Sequence, residues 1–138
     1  MARTAEALND LIAACRESEE SFGMAALSAQ NDDLRLRFTA AAHHRAEFAD
    51  ELVGQLQASG GPVHQRSRRE REGVAEPKDD PSVLADCESV EDNTLRHYER
   101  ALTFDLPAVA RAVVERQRLA VQETLFELRS LETVRKAG

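Results

Sequence analysis

Four polar residues interrupt otherwise apolar helical stripes, and each lies near the middle of a different predicted helix. They are Glu19, Arg45, Glu91 and Gln117, with apolar or small residues three or four positions to either side. Residues at these spacings share one face of an α-helix. Since a buried charge is costly unless it is paired, the pattern predicts one polar layer shared by four helices.

One chemistry open to such a layer is metal binding. Ferritin-like di-iron proteins use a glutamate from each of two helices and a Glu-x-x-His pair from each of the other two. Glu19 and Glu91 fit the two single glutamates, and His44 with Glu47 offers the pair spacing in reverse order. This alternative predicts an iron or manganese site built from Glu19, His44, Glu47 and Glu91.

The other chemistry is structural, and the residue types favour it. The planar guanidinium of Arg45 can bond both Glu19 and Glu91, while Gln117 supplies a further donor and acceptor. An arginine in the layer repels a cation, and the fourth helix carries Arg118 where a di-metal site needs histidine. We therefore predict a buried hydrogen-bonded layer that fixes helix register, with no catalytic residue, no metal and no cofactor.

The two cysteines, Cys15 and Cys87, also lie on apolar stripes, each four residues before a predicted inward glutamate. Buried cysteine behaves as a small hydrophobic residue, which is the favoured interpretation, and a redox pair is the alternative. The first ten residues lack the apolar block of a signal peptide. Two cysteines without an export signal predict a cytoplasmic location.

Hydrophobic periodicity predicts the helices that position these residues, and breaks in the periodicity predict where each helix ends. Asn31-Asp32-Asp33 separates the first two helices, and Gly60-Gly61-Pro62 ends the second. Thr4 is a candidate N-cap for the first helix, and Asp80 for the third, with Pro81 at its first position. One domain over residues 1–138 is predicted, with helices at about 4–30, 33–59, 81–104 and 107–135.

The linker, residues 60–80, predicts how the two helical hairpins are joined. A helix of about 27 residues spans roughly 40 Å. A linker of about 21 residues can stretch to roughly 70 Å. The linker can therefore return along the whole bundle, as in the long crossover of ferritin-like proteins. The predicted fold is all-α: a ferritin-like four-helix bundle of two antiparallel hairpins joined by a long crossover.

Composition limits the classes of partner. Of 138 residues, 42% are hydrophobic and only 4% aromatic, and the net charge is −7. The acidic charge argues against nucleic-acid binding, and no apolar run has the length of a membrane span. The side chains of Leu27, Leu36, Val53, Phe104 and Phe126 lie beside or off the main stripes, which predicts a homodimer. The Arg66–Arg71 segment of the linker is a weak candidate for docking an acidic protein partner.

Short motifs follow one another over residues of about 8–131. They are Leu8-Asn9-Asp10-Leu11, Glu19-Glu20-Ser21-Phe22, Arg45-Ala46-Glu47-Phe48-Ala49-Asp50-Glu51-Leu52, Cys87-Glu88, Glu91-Asp92, Tyr98 and Glu115-Arg116-Gln117. In this order they resemble the bacterial DUF2383 four-helix-bundle proteins. That family is classed as ferritin-like, so the resemblance implies a fold and supplies no reaction. Family members often have a histidine near the end of the fourth helix, and this position aligns with Leu125 here.

Three functional hypotheses follow from these residues. The favoured one is a non-enzymatic, self-associating helical-bundle protein with a link to stress. The sequence does not specify its cellular role. The second is a di-metal carboxylate protein that binds iron or acts as an oxidase. The third is an adaptor that docks an unidentified protein partner through the Arg66–Arg71 segment.

Overall fold

The structure is a computed structural model that describes residues 2–64 and 78–137. Within these residues the chain forms four α-helices and no β-strand. The helices are α1 (Ala2–Ser28), α2 (Asp32–Ala58), α3 (Asp80–Ala101) and α4 (Ala108–Ala137). The observed ends lie within one helical turn of the predicted ones. None of these helices is both long enough and apolar enough to cross a membrane.

Side-chain caps explain two of the helix starts. The side chain of Asn31 accepts a hydrogen bond from the Leu34 amide at 3.1 Å and caps α2. Asp79, rather than the predicted Asp80, caps α3 by accepting from the Ser82 amide. Thr4, the other predicted N-cap, lies buried inside α1, because that helix already begins at Ala2.

Asp80 has a different function, because it ties the start of α3 to the turn between α1 and α2. Its carboxylate accepts hydrogen bonds from the amides of Gln30, at 2.9 Å, and Asn31, at 3.3 Å. Those two amides lie in the short α1–α2 connection, where the helical hydrogen-bond pattern is interrupted. The carboxylate therefore satisfies donors that the helices leave unpaired.

The helices pack around two apolar clusters. One cluster joins the first half of α1 to the second halves of α2 and α3 and the first half of α4. The other joins the end of α1 to the starts of α2 and α3 and the second half of α4. The packing of α2 against α4 is the least extensive among the packed helix pairs. Tyr98 lies in the first cluster, and Phe22, Phe38 and Cys87 lie in the second.

The chain leaving α2 is held against α1. Gly60 has a φ of 77°, a left-handed conformation that glycine adopts at little cost. A Cβ on Gly61 would lie 2.9 Å from the Cβ of Ala5, so this close approach requires glycine. The Asn9 side chain donates to the Pro62 carbonyl and accepts from the His64 amide, each at 2.9 Å. These contacts fix where the linker begins.

Candidate functional site

A buried ion pair joins α2 to α3 between the two apolar clusters. The Nη2 atom of Arg45 lies 2.5 Å from Oε2 of Glu91, and its Nε lies 3.4 Å from Oε1. The side chains are 2% and 0% exposed, respectively. An arginine that meets a carboxylate with two donors holds both groups in a fixed orientation. The pair therefore constrains how α2 and α3 sit against each other.

Two hydroxyl groups complete the layer from the remaining helices. The hydroxyl of Ser18 on α1 donates to Oε1 of Glu91 at 3.1 Å. The Oγ1 atom of Thr124 on α4 accepts from Nη2 of Arg45 at 3.0 Å and donates to the Ala120 carbonyl. Each helix thus contributes one side chain, and we call Ser18, Arg45, Glu91 and Thr124 the polar layer.

Aromatic rings border the guanidinium of Arg45. Its central carbon lies 5.0 Å from the ring centroid of Phe48 and 6.0 Å from that of Phe22. Phe22 also stacks on Phe38, with the ring centroids 6.3 Å apart. Cation–π contacts of this geometry attract a guanidinium cation to the faces of the rings, and they strengthen when water is excluded. The rings therefore offset part of the cost of burying the Arg45 charge.

The prediction that Glu19 belongs to the buried layer is wrong. Its side chain is 38% exposed and bonds Arg16 at 3.2 Å, while Arg16 also bonds Asp50 on α2. Ser18, the preceding residue, faces inward instead and is fully buried. Neighbouring helical residues point about 100° apart. The rotation of α1 about its own axis therefore decides which of the two enters the core.

Gln117 is buried as well, but it bonds a second network rather than Arg45 or Glu91. Its Oε1 accepts from the Tyr98 hydroxyl at 2.6 Å. Its Nε2 donates to Oε1 of Glu51 at 2.7 Å and to the Phe48 carbonyl at 3.3 Å. Arg116 also donates to Glu51, and this contact holds the pKa of the Glu51 carboxyl below its usual value.

This second network begins at a buried thiol. The Tyr98 oxygen lies 3.0 Å from Sγ of Cys15. Because the Tyr98 hydroxyl gives its only proton to Gln117, the Cys15 thiol is the donor in this contact. Burial raises the pKa of Cys15 to about 11 and that of Tyr98 well above its usual value. We call Cys15, Tyr98, Gln117 and Glu51 the thiol network, which also draws one residue from each helix.

The proposed metal ligands do not come together. His44 and Glu47 lie on the exposed side of α2, and Glu19 is partly exposed on α1. Glu91 alone lies in the polar layer, with both oxygens engaged by Arg45. Within residues 2–64 and 78–137, no three His, Cys, Asp or Glu side chains are placed to hold a metal ion. A di-iron or di-manganese centre therefore does not fit this donor set.

Sequence reasoning missed Ser18, Thr124, Tyr98 and Glu51. A signal for Ser18 was present, because the buried residues Cys15 and Phe22 lie three positions before it and four after it. A similar signal existed for Thr124, which follows the buried residue Val121 by three positions on the same helix face. The adaptor hypothesis rests on Arg66–Arg71, which lies outside the described residues.

Both thiols should be nearly inert in the native protein. Burial raises the pKa of Cys87 to about 12, an effect partly offset by a hydrogen bond with Ser21. The thiolate is the nucleophile, so at pH 8 we expect labelling by a disulfide reagent to be at least about a hundredfold slower than for free cysteine. A Ser89→Cys variant, exposed on α3, supplies a reactive control. Rapid native labelling of Cys15 or Cys87 would contradict their burial.

No protein-family model matches the chain, and no curated protein sequence matches it. The functional argument therefore depends on the geometry of the described residues.

Proposed function

We propose that the protein is a non-enzymatic, self-associating four-helix bundle whose buried polar groups hold its helices in register. The observation that carries this proposal is the polar layer, in which one positive and one negative side chain meet and two hydroxyls bond them. A buried group that already has its partners has little capacity left for a substrate or an ion. The layer is therefore suited to specifying structure.

The proposal includes a ferritin-like crossover between α2 and α3. Leu56, near the end of α2, packs in the cluster that holds Tyr98 and Ala101 from the end of α3. Leu34 and Leu84, near the starts of the same helices, share the other cluster. These contacts support two helices that run in the same direction, which requires the chain between them to return along the bundle. The resemblance to DUF2383 proteins supports the same topology.

The proposal also includes a cytoplasmic homodimer. The acidic composition and the two free, buried cysteines support an intracellular setting. Self-association is supported by exposed apolar side chains, among them Leu27, Leu36 and Phe126. Val53 and Phe104, the other two residues from which a dimer was predicted, pack partly buried against the first cluster and contribute less exposed surface.

Elemental analysis tests the non-metal character of the polar layer. We expect protein purified without chelator to contain well under one iron or manganese ion per chain, because Arg45 occupies the position next to Glu91 that a cation would need. The variant Arg45→Met, which removes the charge, serves as a comparison. Two iron or manganese ions per chain in the wild-type protein would contradict the proposal and favour the di-metal alternative.

A further inference from the structure

A groove between α2 and α4 remains unfilled by the chain's described residues. It has a volume of about 180 Å³, and its apolar lining includes Phe22, Phe38, Leu128 and Leu131. It lies along residues 37–44 of α2 and 124–131 of α4, the packed helix pair with the least extensive contact. An apolar depression at the surface marks a place where a partner can bury hydrophobic area.

Exposed apolar side chains extend this groove outward on both helices. Leu36 on α2 is 72% exposed and lies one turn from Ala40, which lines the groove. Val134 on α4 is 70% exposed and lies one turn from Leu131. We call the groove lining together with Leu36 and Val134 the α2–α4 face.

One charged side chain stands on each rim of the groove. Arg37 lies on the α2 rim and Glu127 on the α4 rim. Arg37 also bonds Asp33 at 3.0 Å, and its side chain is about half exposed, so part of its guanidinium faces outward. A two-fold axis that runs parallel to the groove would bring the α2 rim of one copy to the α4 rim of the other. Each Arg37 would then face a Glu127, and the contact would occur twice.

We infer that the α2–α4 face is the site at which a second copy of this chain docks, as an isologous dimer. The inference rests on the proposed self-association and says which surface of the protein forms the dimer interface. A half-exposed cation on one rim and an exposed anion on the other are complementary to a second copy related by a two-fold axis along the groove, whereas two rims of like charge would repel it. Exposed leucine and valine side chains beside the groove supply the area that must leave water.

Charge reversal across the proposed interface tests this inference by sedimentation velocity over a range of concentrations. Arg37→Glu and Glu127→Arg, taken singly, each place like charges together at two points, and each should weaken the dimer by at least about tenfold. The double variant Arg37→Glu/Glu127→Arg should recover most of the wild-type affinity. Glu99→Arg, on α3, makes a matched charge change away from the face and should leave the dimer unchanged.

A steric variant gives an independent readout. Ala40→Glu places a carboxylate on the wall of the groove and should yield a folded monomer, whereas Ala85→Glu, also at an exposed alanine but on α3, should remain dimeric. A wild-type chain that is monomeric at every concentration would overturn both the self-association and this site. A wild-type dimer that tolerates Ala40→Glu and both single reversals would overturn only the site.

Discussion

Arg45→Ala should lower the free energy of unfolding by about 3–5 kcal/mol, because it leaves the buried carboxylate of Glu91 without its cation. Glu91 is 0% exposed, so its carboxylate depends on protein groups for the partners that water supplies at a surface. The substitution also removes a large side chain from between the rings of Phe22 and Phe48. Chemical denaturation followed by circular dichroism measures the loss.

Two further variants separate the charge of Arg45 from its volume, and a third serves as an exposed control. Arg45→Met keeps much of the volume and should cost less than Arg45→Ala, while Arg45→Met/Glu91→Leu removes both charges and should be milder than either. Arg116→Ala breaks the exposed ion pair with Glu51 and should cost about 1 kcal/mol or less. An Arg45→Ala protein as stable as the wild type would place Arg45 outside the buried layer.

Stability should fall steeply above pH 9. Burial raises the pKa of Cys15 from 9.0 to about 11 and that of Cys87 from 9.0 to about 12. Between those values the unfolded chain releases the thiol protons and the native chain keeps them, so rising pH favours unfolding. By pH 10.5 each thiol should remove about 2 kcal/mol of stability. The buried Tyr98 hydroxyl, whose pKa is also raised, acts in the same direction.

Urea titrations at pH 8 and pH 10.5 measure this loss directly. The variant Cys15→Ala/Cys87→Ala should show a much smaller difference between the two pH values, because it has no thiol to ionise. Each single variant should recover about half of the effect. An equal alkaline loss in the wild type and in the double variant would show that the thiols do not govern it.

Helical periodicity was sufficient to predict four helices, because each carries a long apolar stripe that ends at residues unfavourable to helix. The start of α3 shows why the residue that caps a helix cannot always be predicted from local sequence. Asp79 and Asp80 are both good caps, and only the tertiary contact of Asp80 with the Gln30 and Asn31 amides decides which of them caps the helix.

The sequence predicted a polar layer that contains Arg45 and Glu91, but it did not predict the other two residues of that layer. Arg45 and Glu91 interrupt apolar stripes that are unambiguous, so the sequence marks them as inward. Glu19 and Ser18 differ by one position, and the rotation of α1 is set by packing against other helices, which periodicity within α1 does not report. The bond between Gln117 and Tyr98 likewise depends on how α3 and α4 align along their axes.

A crystal structure with anomalous data collected at the iron and manganese absorption edges tests the central claim most directly, since it shows the occupant of the polar layer. The account predicts the Arg45 guanidinium bonded to the Glu91 carboxylate, with Ser18 and Thr124 as the flanking hydroxyls and no anomalous peak. An anomalous peak bonded to Glu91, with Arg45 displaced outward, would contradict it.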